Sequence, residues 1–216
     1  MTTPRRRPGR PRKADAGDTK AALLSAALRL FARNGYAGTS IRSIAREVGL
    51  SESVLYAHFA GKQAIFDAVL ATLGPTNPLD MMDAATAALV DTDPPRYLRE
   101  LVRAVLESWE HDDARLLISV MAQDGLLHSP ALQQAISAMR LPVSRLFEQW
   151  IAADRIPAGL ATPDDLAMSF TGLIGLTRVL HLHAHAPDEE RARARAEISR
   201  HAETFIRLVF RDDSGH

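Results

Sequence analysis

The residues of this chain that could do chemistry fall into three groups. His181, His183 and His185 form the first. His181 and His185 stand four apart, the spacing that sets two imidazoles on one helix face before a metal ion. The chain has no cysteine, which removes thiolate ligands, thiol nucleophiles and disulfides. Asp188 and Glu189 suit the start of the next helix, and His201 lies about thirteen residues into it, roughly 20 Å along at 1.5 Å per residue. The preference of helix C-termini for cations accounts for the histidines without a metal, and no metal or cofactor is assigned. The second group is the acidic pairs Asp112-Asp113, Asp164-Asp165 and Glu189-Glu190, all at expected helix starts, where the dipole favours them. With no glycine-rich phosphate loop, nucleophile elbow or HExxH present, the expectation is not an enzyme. The third group lies between Thr39 and Lys62. It holds hydroxyl, guanidinium, phenol, imidazole and ammonium donors on Thr39, Ser40, Arg42, Ser51, Ser53, Tyr56, His58 and Lys62. Such donors bind phosphates and base edges rather than break bonds.

The elements that must position the third group are two short helices about a turn. Ile41, Ile44 and Ala45 fall on one face at i, i+3, i+4, with Thr39 or Ser40 as the cap. Val48-Gly49-Leu50 makes the turn, Gly49 being the residue that best tolerates a positive φ. Ser51 caps a second helix with Val54, Leu55 and Phe59 at helical spacing. This is the pattern of a helix-turn-helix, whose second helix can lie in a DNA major groove. It is also the pattern of an ordinary corner between two core helices.

The order Thr-Ser-Ile-Arg-x-Ile-Ala, Val-Gly-Leu-Ser, Leu-Tyr-x-His-Phe and Gly-Lys-x-x-Ile-Phe resembles the DNA-binding domain of TetR-type transcriptional regulators, from about Lys20 to Leu73. The resemblance implies that Thr39, Tyr56, His58 and Lys62 face the DNA backbone. Lys62 fits a first helical turn only if an anion sits there, since the dipole disfavours a cation. The resemblance also has a departure. Many relatives carry Thr where this chain has Val54, and a longer side chain where it has Ala57. Neither residue can donate to a base, though both can pack on a thymine methyl group. Ser51, Ser53 and partly Tyr56 remain as polar readers. Glu52 could accept from a cytosine amino group, but equally suits a first-turn stabiliser.

The 216 residues carry no net charge and are 46% apolar, as expected of a globular chain with one or two domains. Residues 1–74 hold 12 Lys/Arg against 5 Asp/Glu, and residues 75–216 hold 14 against 21. A basic front and an acidic rear point to a polyanion met by the front alone. Residues 1–17 are rich in Arg, Pro and Gly and read as a disordered basic arm. Its Gly-Arg-Pro-Arg, with Arg10 and Arg12, resembles the core of an AT-hook, an extended chain suited to a narrow A·T minor groove. The arm lacks the apolar stretch of a secretory signal, and no apolar run is long enough to span a bilayer. A cytoplasmic protein without membrane contact is expected.

Residues 18–74 are expected to form the DNA-binding domain. Its first helix runs over 18–34, capped by Asp18 or Thr19 and closed by Asn34-Gly35. Residues 75–216, after the breaker Gly74-Pro75-Thr76-Asn77-Pro78, form a larger helical domain. Helices are expected over 79–90, from 94, over 114–127, over 130–153 with a break or kink at Pro142, over 163–183 and over 188–210. Met82, Trp109, Met121, Phe147, Trp150 and Phe170 could line an adaptable apolar pocket, although such residues also serve as plain core. The last two helices carry stripes that include Phe170, Ile198, Ala202 and Phe205, with small residues at Gly172 and Gly175. By the resemblance these residues would pair with a second subunit. By spacing alone they could equally be internal core.

The expectation is therefore an all-α homodimer that binds a palindromic double-stranded operator and is released from it by a small apolar effector. An architectural DNA-binding protein without effector, and a helical small-molecule-binding protein, remain the alternatives.

Overall fold

The computed structural model describes residues 13–73, 77–123 and 126–210, and every regular element among them is helical. The chain divides into two compact units between Phe66 and Asp67.

The front unit contains α1 (Lys13–Gly38), α2 (Ile41–Glu47), α3 (Glu52–His58) and the first turn of α4 (Lys62–Leu73). α1 begins at Lys13, ahead of the expected start. Lys13–Gly17 is thus helical rather than part of the arm, and neither Asp18 nor Thr19 is the cap. The strong helix formers Lys13, Ala14 and Ala16 favour this extension. At the other end, Asn34-Gly35 does break the helix: Gly35 sits at φ 74, ψ 161, and a last turn carries the chain to Gly38. The stripe Leu23, Ala26, Ala27, Leu30 and Phe31 is buried, as are Ile44, Ala45, Leu55, Phe59, Ile65 and Phe66. Phe31, Tyr36 and Phe66 stack with centroids 5.3, 5.6 and 6.3 Å apart, within the range of favourable ring pairs.

The rear unit is a bundle in which α9 (Pro130–Ala152), α10 (Pro163–His181) and α11 (Asp188–Val209) pack in sequence, with α7 (Pro94–Ser108) against α11. α8 (Asp112–Gln123) and a short 3-10 turn at Leu126–His128 precede α9. Three expectations need correction. The helix expected over 79–90 is a 3-10 turn, Pro78–Met81, followed by α5 (Ala84–Ala87) and α6 (Leu89–Thr92). Asp83 starts a fresh helix there by accepting from the Thr86 backbone N–H at 2.7 Å, and this bond holds its carboxyl below the usual range. The helix expected over 114–127 stops at Gln123. α9, by contrast, runs through Pro142 without interruption, and Val143, Leu146, Phe147 and Trp150, buried just after the proline, hold the helix to the core there.

Phe147 lies at the centre of the rear core. Its ring meets Trp150 at 5.5 Å, Phe205 at 5.6 Å and Phe170 at 6.2 Å. Phe170, Ile198, Ala202 and Phe205 are all buried in this core. They are therefore not the interface that the family resemblance implied, because the chain's own helices consume the stripe. Arg99 of α7 grips Glu203 of α11 with two hydrogen bonds, at 2.8 and 3.2 Å.

Candidate nucleic-acid interface and apolar cavity

Local chemistry fixes the two helices of the front unit. Ser40 caps α2 in a reciprocal box: its Oγ accepts from the Ser43 N–H at 3.1 Å, and the Ser43 Oγ accepts from the Ser40 N–H at 3.1 Å. Gly49, at φ 71, makes the turn. The Gly49 and Leu50 N–H groups donate back to Arg46 and Ala45 at 3.1 and 2.8 Å. Ser51 occupies the cap position of α3, but its hydroxyl pairs with that of Ser53 at 2.8 Å instead of a backbone N–H. Leu55 and Phe59 anchor α3 inward.

Ser51, Glu52, Ser53, Tyr56 and Ala57 consequently face outward, with Val54 and His58 half-buried at the edge of that face. Tyr56 is 54% exposed. Arg42 reaches α3 from α2, its Nε 3.6 Å from Glu52 Oε1. An exposed pair of this kind is weak, so both groups can exchange partners. One face thus offers hydroxyls, a phenol and a guanidinium beside two small apolar side chains, which suits a groove edge.

Two residues expected at the DNA backbone have polar partners within the chain. Thr39 is only 2% exposed, and its hydroxyl lies 2.8 Å from the Gly35 carbonyl and 3.1 Å from that of Leu30. It ties off the end of α1, with its hydroxyl turned inward. The Lys62 ammonium is turned toward the carbonyls of Tyr36 at 2.6 Å, Thr39 at 2.9 Å and Ala37 at 3.4 Å, and it lies 4.4 Å from the centre of the Tyr36 ring. Those carbonyls are acceptors that the chain itself offers to a cation in the first turn of α4. Arg10 and Arg12 lie outside the described residues.

The rear unit carries a half-open cavity of about 670 Å³ between α7, α8, α9 and α10. Trp109, Met121 and Phe170 line it, together with Val105, Met139 and Ile174. Phe147 and Trp150 do not. Both are fully buried core, and the Trp150 indole N–H donates to the Val90 carbonyl at 2.7 Å. Met82 packs on the outside of that core. Met and aromatic content alone cannot separate a wall from a core.

Sequence reasoning missed Arg178. It continues the inward row Phe170, Ile174 at i+4, so a cation on an apolar stripe was the available signal. It lines the cavity at 6% exposure. Its guanidinium stacks 4.4 Å from the centre of the Trp109 ring, and Nη2 is buried without a hydrogen-bond partner. Burial lowers its pKa to about 10, which leaves it protonated at neutral pH.

The histidine cluster does not share a helix face, because α10 ends at His181. His181 Nδ1 lies 2.7 Å from Glu190 Oε1. Among the described residues no group of three potential ligands is placed to hold a metal, and no helix is long and apolar enough to cross a membrane. Ile136 and Leu141 on α9, Leu160 just before α10, Met168, Leu176 and Leu180 on α10 and Leu208 on α11 are exposed apolar residues of the rear unit, and Ile136, Met168 and Leu176 among them also line the cavity. A side chain built at Gly172 or Gly175 would meet open space, so neither glycine serves a close approach within the chain.

Residues 23–69 match the family described as bacterial regulatory proteins, tetR family. The HTH-type transcriptional regulator AcrR of Shigella flexneri is 32% identical over 109 residues, covering 50% of each chain. The match thus spans about half the length of this curated relative. Among solved structures, NalD, the secondary repressor of the MexAB-OprM multidrug efflux pump in Pseudomonas aeruginosa, is 25% identical with a TM-score of 0.67, over 92% of this chain and 100% of that one. SmeT, the repressor of the Stenotrophomonas maltophilia multidrug efflux pump SmeDEF, has a TM-score of 0.71 over 94% and 95% at 18% identity, a likeness of fold.

Proposed function

Because this chain belongs, through its residues 23–69, to the TetR family of bacterial regulatory proteins, we propose that it is a cytoplasmic transcriptional repressor that binds a palindromic operator as a homodimer and leaves it when a small molecule fills the cavity of the rear unit. The observation that carries the DNA reading is the outward face of α3, with Ser51, Ser53, Tyr56 and Ala57 exposed while Leu55 and Phe59 hold the helix to its core. Tyr56, His58 and Arg42 are the candidates for backbone contact. Val54 and Ala57 favour half-sites with thymines beneath them.

Release follows from two states of the dimer. One matches successive major grooves, and an effector that binds the other better lowers the affinity for DNA by that difference. Leu180 of α10 and Leu208 of α11, exposed and outside the cavity lining, mark the proposed dimer face, since a single helix-turn-helix reads only one half-site. The thin polar readout favours a second reading, an architectural DNA-binding protein without effector.

Footprinting on the DNA flanking the protein's own gene tests the DNA reading. The expected result is protection of two related half-sites about one helical turn, ~34 Å, apart. Uniform protection at every sequence would favour the architectural reading. No protection at any protein concentration would remove both.

A further inference from the structure

We propose that the cavity of the rear unit takes an amphipathic organic acid, its carboxylate on the guanidinium of Arg178 and its apolar body between α7, α8, α9 and α10. The proposal deepens the effector reading and rests on it.

The Trp109 ring covers a face of the guanidinium. Cation–π contact of this kind stabilises the charge but leaves the N–H groups, which point along the guanidinium edges, without acceptors. Nη2 is buried and has none. A buried charge without a hydrogen-bonding counter-ion is costly, and a carboxylate in the cavity would supply charge-assisted bonds to the guanidinium N–H groups that reach it. The rest of the cavity explains why the acid would need an apolar body. Its walls are Val105, Met121, Met139, Ile174 and similar side chains, and its volume of about 670 Å³ lies in the range that holds a drug-sized ligand. Arg140 is a second cation on the lining, and no Asp or Glu is among the described lining residues. The site therefore selects against amines as well as for acids.

The test uses the full chain without DNA and titrates decanoic acid, decanol and decylamine by calorimetry, with naphthoic acid and naphthalenemethanol as an aromatic pair. Each acid is expected to bind about ten-fold or more tightly than its alcohol, the scale of one charge-assisted hydrogen-bonded contact, and decylamine most weakly. Arg178→Met fills the same space without the charge. It should bring each acid down to the level of its alcohol and leave the alcohol unchanged, with the helical circular dichroism of the parent.

Equal binding of acid and alcohol by the unaltered protein would overturn the proposal without reference to any variant. So would an acid preference that survives Arg178→Met, or the absence of binding by both acids. Measuring operator affinity with the same compounds separates this proposal from the effector reading. Acid that binds through Arg178 but leaves DNA affinity unchanged sinks the effector reading alone. Release of DNA by decanol, with no preference for the acid, sinks the carboxylate site alone.

Discussion

Lys62 and Thr39 have the chemistry of phosphate anchors, and the fold spends both on the backbone of α1. That assignment has measurable consequences. The Lys62 ammonium lies within 2.9 Å of two carbonyls and 3.4 Å of a third, in the last turn of α1 and just past it, where helix carbonyls lack intrahelical donors and the Thr39 N–H reaches the Tyr36 carbonyl only at a long 3.4 Å. Lys62→Ala should destabilise the protein by about 1–3 kcal/mol, the cost of leaving half-buried acceptors unpaired. Thr39→Val keeps the shape and removes the buried hydroxyl, and about 1 kcal/mol is expected from its lost bond. Thermal denaturation followed by circular dichroism measures both. A Lys62→Ala protein with unchanged melting but weaker DNA binding at every sequence would return the ammonium to the phosphate. The residue types at these positions were legible in the sequence, but their directions were not. A donor at a helix end serves a phosphate and a carbonyl equally well, and only the position of the α1 terminus decides between them. Ser40 and Gly49 were legible because a cap and a positive φ are set by local geometry alone.

α10 shows the same limit at the scale of an element. Its apolar residues form an inward row, Leu166, Phe170 and Ile174, and an outward set, Met168, Leu176 and Leu180. A helix apolar on two sides announces that both are covered, but not by what. The resemblance to a dimeric family led to the row that the monomer core already uses. The two sides should separate by mutation. Phe205→Ala, which removes a ring 5.1 Å from Phe170 and 5.6 Å from Phe147, should cost about 3–5 kcal/mol of stability as a core truncation. Leu180→Glu with Leu208→Glu changes residues 52% and 74% exposed. It should leave the subunit folded, halve the mass seen by light scattering and abolish tight binding to a palindrome. A double variant that keeps the parent mass would place the dimer contact elsewhere on the chain. Helix existence was legible almost throughout, whereas α5 and α6 were not. There the single hydrogen bond from the Thr86 N–H to Asp83 outweighs an apolar pattern that reads as continuous.

At the scale of the whole molecule the charge is split. The front 74 residues carry an excess of seven positive charges and the remainder an equal excess of negative ones. Five of the arginines, Arg5, Arg6, Arg7, Arg10 and Arg12, fall within residues 2–12. If they act only as a tether, their removal costs affinity through counter-ion release. The loss is then the same on every DNA, and the dependence on log salt falls by about 0.9 for each phosphate contact given up. If the Gly-Arg-Pro-Arg segment enters the minor groove, a second loss is added on A·T-rich flanks, whose narrow groove concentrates negative potential. The two terms separate in one experiment. Full-length protein and protein lacking residues 2–12 are titrated against an operator with A·T-rich or G·C-rich flanks at several salt concentrations. The deletion should shrink the salt slope on both flanks and cost more affinity on the A·T-rich one. It should leave the melting temperature unchanged, because α1 begins at Lys13. Equal losses on both flanks, with the salt slope reduced, would make the arm a charge tether and leave sequence reading to Ser51, Ser53, Val54, Tyr56 and Ala57 alone.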